Sequence, residues 1–107
     1  MSFDPLPSIN VPELDLRGQF YSSESPVQAW GTVKGRAFYF RARYEHWTFA
    51  VSESPDIDPV DIQDAGRGFY REERFGTRQF EASHIPLDVA AKIVEDCARE
   101  YVQSHAA

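Results

Sequence analysis

The chain has 107 residues, 17 Asp+Glu against 11 Lys+Arg, and a formal net charge of −6. That length fits one domain spanning 1–107, and 42% hydrophobic with 26% charged residues is the composition of a folded chain. The net acidity argues against a general nucleic-acid binder or a protein drawn to anionic lipid, because both need positive charge.

Met1-Ser2-Phe3-Asp4-Pro5 lacks the basic and apolar regions of a secretory leader. No run reaches the roughly 18 apolar residues of a membrane span. Pro5, Pro7, Pro12 and Pro26 disfavour a helix over 1–26, since proline removes a donor and fixes φ. Phe3, Leu6, Ile9, Val11, Leu14 and Leu16 are too many apolar residues for a plain tail. The segment reads as an extended arm packed on the body, with a short edge strand over 18–22.

Residues 27–53 carry the strongest pattern. Lys34-Gly35 suits a two-residue hairpin turn between strands 27–33 and 36–44. That turn pairs Val33 with Arg36, Gly31 with Phe38, Ala29 with Phe40, Val27 with Ala42 and Trp30 with Tyr39. A second tight turn at Glu45-His46 continues into a strand over 47–53, pairing Tyr44 with Trp47 and Ala42 with Phe49. Alternation then collects Val27, Ala29, Phe38, Phe40, Ala42, Tyr44, Trp47, Phe49 and Val51 on one face. Gln28, Trp30, Thr32, Tyr39, Arg41, Arg43, Thr48 and Ser52 fall on the other. Phe38 opposite Gly31 fits this register, because an aromatic ring covers a cross-strand glycine.

Residues 54–68 read as an acidic loop, and 69–84 as room for further strands with Phe69, Arg71 and Glu73 in one parity. Pro86 and Asp88 suit the start of a helix over about 86–103. Its stripe of Leu87, Ala90, Ile93, Val94, Cys97, Ala98 and Tyr101 is placed to cover the apolar sheet face. The fold class is α+β, an antiparallel meander of three or more strands under one C-terminal helix. Cys97 is the one cysteine, which excludes an internal disulfide and a cysteine-rich zinc site and points to the cytoplasm.

Charge alternates along the chain in blocks. Residues 1–26 carry −3, 27–51 carry +3, 52–64 carry −5, 65–80 carry +2 and 81–107 carry −3. Trp30 and Tyr39, flanked by Arg41 and Arg43, therefore form a cationic aromatic surface on an acidic protein. Trp, Tyr and Arg concentrate binding energy at interfaces, so this face is the candidate site for a protein partner. It is a true outer surface only if neither the arm nor 69–85 packs over it. The acidic loop, with Glu53, Asp56, Asp58, Asp61 and Asp64, offers a second mode, in which carboxylates meet a basic partner as an inhibitor or mimic does. A third is stacking of single-stranded nucleic acid on the aromatic face.

Other chemistries fail on spacing. Lys34 to Arg41 matches four positions of the third-strand signature of RNA-recognition motifs. It departs where Arg36 and Arg41 stand in place of aromatics. Asp56 as the first residue of a calcium loop places Val60 and Asp61 where a ligand and glycine are required. His46, His84 and His105 share no catalytic or metal motif, and no phosphate-binding or nucleophile signature occurs. No cofactor, metal or catalytic residue is implied. An open meander does leave edge strands, which a homodimer would protect.

Overall fold

A computed structural model describes residues 6–23, 26–52, 58–62, 68–76, 82 and 85–104. Strands β1 (Ser8–Val11), β2 (Leu16–Ser23), β3 (Val27–Val33), β4 (Arg36–Arg43), β5 (His46–Ser52) and β6 (Gly68–Arg74) precede helix α1 (Leu87–Ser104). The strands form one antiparallel sheet in the order β1-β2-β3-β4-β5-β6, so every strand pairs with its neighbour in sequence. This is the α+β meander of three or more strands with a C-terminal helix that the alternation predicts, and it has six strands. No helix among the described residues is long and apolar enough to cross a membrane.

The β3–β4 register follows the sequence prediction pair for pair, from Val33–Arg36 to Val27–Ala42. Lys34 and Gly35 both adopt left-handed backbone, at φ 52° and 77°, the pattern of a type I′ turn that matches strand twist. The next hairpin differs. Its turn is Tyr44-Glu45, with Tyr44 at φ 58°, so Arg43 faces His46 and Ala42 faces Trp47. The expected partners are therefore shifted by two residues, while parity and the apolar face survive, except that Tyr44 leaves that face for the turn. The shift places Trp47 opposite a small side chain, where its indole lies 6.2 Å from the Phe40 ring. The turn carbonyls are used as well. Glu45 O accepts from Phe75 N, and Tyr44 O from Ala82 N.

Residues 8–23 are not an arm laid across the body. They supply two strands of the sheet, joined by a 3₁₀ turn at Pro12–Leu14. The prolines permit this because they stand between strands. Pro7 precedes β1, Pro12 opens the turn and Pro26 precedes β3. Ile9, Leu14, Leu16 and Phe20 join the core below the sheet.

On that inner face Phe20, Phe38, Phe40, Phe49, Val27, Val33 and Val51 are buried against Ala90, Val94, Cys97 and Ala98 of α1. The helical stripe is the one the spacing predicts. Phe69 meets Phe49 at 6.2 Å and Tyr101 at 5.6 Å, edge-on in both cases. Arg71 donates to both carboxylate oxygens of Glu100 at 2.5 and 2.7 Å, tying β6 to the helix. On the outer side of α1, Lys92 pairs with Asp96 at 3.0 Å, and Arg99 approaches Glu95 at 3.9 Å.

Burial, opposed by the nearby Arg71, pushes the Cys97 thiol up from 9.0 to about 12. The folded chain then holds that proton more tightly than the unfolded chain. Its stabilising share is complete below pH 9.0 and is lost as pH climbs toward 12, by up to about 1.4 kcal/mol per pH unit. Urea unfolding on either side of pH 9.0 should show a shallower alkaline decline in Cys97→Ala than in wild type. Equal slopes would contradict a buried protonated thiol.

Candidate functional site

The face turned away from α1 is built in rows, because alternate residues of neighbouring strands stand side by side. One row runs Trp30, Tyr39, Ala50, Tyr70, and the next Gln28, Arg41, Thr48, Glu72. A third holds Arg43, His46 and Arg74. Thr48 and Ala50 are short, so β5 becomes the floor of a groove of about 410 Å³. Tyr39, Arg41 and Arg43 stand on the β4 side, with Tyr70 and Glu72 on the β6 side.

One end of this groove is covered. The 3₁₀ turn Pro59–Asp61 packs over β4 and β5, and Ile62, Ala50 and Ser52 are buried there. Among the described residues the cover comes from the acidic loop. Of the arm's described apolar side chains, Leu6, Ile9, Val11, Leu14, Leu16 and Phe20 are spent on the inner core. Ile62 is the buried apolar residue that lets a stretch of the acidic loop dock.

The predicted binding residues share the face but not its exposure. Trp30 is 40% exposed and Arg43 is exposed, whereas Tyr39 is 8% exposed and Arg41 half-buried. A register shift between Phe20 and Ser22 marks a bulge in β2, and Tyr21 stacks there on Trp30 at 4.0 Å with 15° between the rings. Trp30 in turn lies 5.9 Å from Tyr39. Gln28 Nε2 donates to the Tyr39 hydroxyl at 2.8 Å, fixing that ring. The Arg43 guanidinium sits 4.5 Å above the Tyr44 ring. Arg41 Nε is buried with no hydrogen-bond partner.

Across the groove the Tyr70 hydroxyl donates to Glu72 Oε2 at 2.8 Å. Burial, then that hydrogen bond and the Glu72 charge, push the phenol up to about 12, so Tyr70 remains a neutral donor. Arg74 is drawn away to Glu45 at 3.6 Å. Tyr21, Tyr44, Tyr70 and Glu72 are the residues the sequence reading missed. Alternation through Leu16, Gly18 and Phe20 was the available signal for Tyr21.

Of the acidic set, Asp58 is exposed and accepts from Val60 N at 3.0 Å, capping the 3₁₀ turn that Asp61 closes. Glu53, Asp56 and Asp64 lie outside the described residues, as do His84, His105 and Phe80. His46 is exposed beside Arg43. Among the described residues no three His, Cys, Asp or Glu side chains are grouped to hold a metal ion. Compared with protein-family models, curated proteins and solved structures, the chain matches none.

Proposed function

We propose that this protein is a non-catalytic interaction module that binds a protein partner through the outer sheet face, around Trp30, Tyr39, Arg41 and Arg43. One observation carries the reading. Among the described residues five large apolar side chains are substantially exposed, and Tyr21, Trp30, Tyr44 and Val60 all lie on this face. Only Val89 lies elsewhere, on the helix. Exposed apolar area gathered on one face, interleaved with arginine, is the composition of an interface core.

Trp30 stands at the centre, between Tyr21 and Tyr39. Tryptophan anchors in such positions account for about 2 kcal/mol or more of binding, roughly thirtyfold in affinity. Capture experiments with wild type and with Trp30→Ala plus Arg41→Ala test the reading. The double variant should lose the proteins that wild type retains. Equal recovery of the same partners by a folded double variant removes this face as the site.

A further inference from the structure

We propose that the groove between β4 and β6 seats the carboxylate of an aspartate or glutamate side chain from an acidic segment of the partner, held by Arg41 with Arg43 beside it. The inference rests on the outer face being the partner surface and names the chemistry read there.

The first support is the orphaned Arg41 Nε, buried without an acceptor in a wall of the groove. Buried donors are almost always satisfied, and a guanidinium N–H left without a partner is costly. A guanidinium presents paired donors in a fork that matches a carboxylate. No carboxylate of the described residues forms an ion pair with Arg41 or Arg43.

Charge selects the occupant further. Among the described residues that line the groove, Arg41 and Arg43 against Glu72 leave an excess of one positive charge, since Arg74 is engaged by Glu45. A single carboxylate balances that charge. A phosphate dianion overshoots it and is repelled by Glu72 across the Thr48 floor. The aromatic walls of Tyr39 and Tyr44 suit the methylene stem of such a side chain.

Side-chain Nε–Hε resonances of the ¹⁵N-labelled protein read the site at the atom concerned. Titration with an N-acetylated, C-amidated tetraglutamate peptide should move the Arg41 signal and saturate, while the matching tetraglutamine leaves it in place. Arg41→Gln should weaken binding of tetraglutamate by about tenfold or more. Arg43→Gln, at an exposed position where folding is secure, should weaken it less and leave the Arg41 signal able to respond.

An Arg41 signal unmoved by tetraglutamate overturns the proposal, as does unchanged affinity in both variants. Inorganic phosphate binding as tightly as the peptide overturns it too. If Trp30→Ala plus Arg41→Ala abolishes partner capture while tetraglutamate leaves Arg41 unmoved, the face stands as the site and the carboxylate assignment fails. If tetraglutamate binds while that double variant retains its partners, the partner face itself is wrong.

Discussion

Phe38→Ala should cost about 3–5 kcal/mol of stability, the range for deleting a fully buried aromatic ring. Phe38 is wholly buried, and its ring stacks on Phe49 at 5.5 Å. It also lies over a strip of sheet with no side chains of its own. Gly31 is its direct partner on β3, and Gly18 follows on β2, where an added Cβ would come 2.7 Å from Phe38 Cζ. Removing the ring thus opens a cavity floored by bare backbone at Gly18 and Gly31. Denaturant unfolding measures the loss, and a change below about 1 kcal/mol would contradict the packing described. Gly18→Ala should destabilise wild type but be milder in the Phe38→Ala background, because the new methyl then enters vacated space.

Gly31→Ala should be nearly as severe for a different reason. A Cβ at this position would overlap the Arg17 carbonyl oxygen and lie 2.5 Å from the Gly18 Cα. Both obstacles are backbone, so no rotamer change relieves them, and β2 must move away from β3. The cost should reach the upper end of the about 1–3 kcal/mol typical of overpacking, or exceed it. The damage should also be local. Amide exchange ought to accelerate in β1 and β2 well before β4 and β5, since the displaced strand carries β1 with it. Uniform loss of protection, or none, would show that the close approach at Gly31 is not what holds the first two strands.

The hairpin β3–β4 was legible because two signals agreed, a left-handed glycine turn and an unbroken period of two. The next turn carried no glycine. Its left-handed residue is Tyr44, which nothing local marks as a turn former, so the register slipped by two while parity kept each side chain on its face. β1 was hidden by prolines, which break strands when inside them and are neutral between them, while β2 was legible only as a short edge strand over 18–22. At the site, cross-strand pairing alone brought Trp30 and Tyr39 together. The covering of β4 and β5 by the Pro59–Asp61 turn was not legible, because it lies inside an acidic run whose charge masks the docking of Ile62.

Sequential strand pairing has a kinetic side. Four of the five hairpins close loops of two to four residues, so most of the sheet forms through contacts between chain neighbours, and the entropy of closure stays low for an all-antiparallel sheet. The helix is the exception. It must return across the whole meander to meet the Pro12–Leu14 turn and β2. Until it arrives, the phenylalanine face is open to water, and an isolated sheet of this kind is prone to associate through such a surface. Docking of α1 is therefore the long-range step on which completion of the core waits.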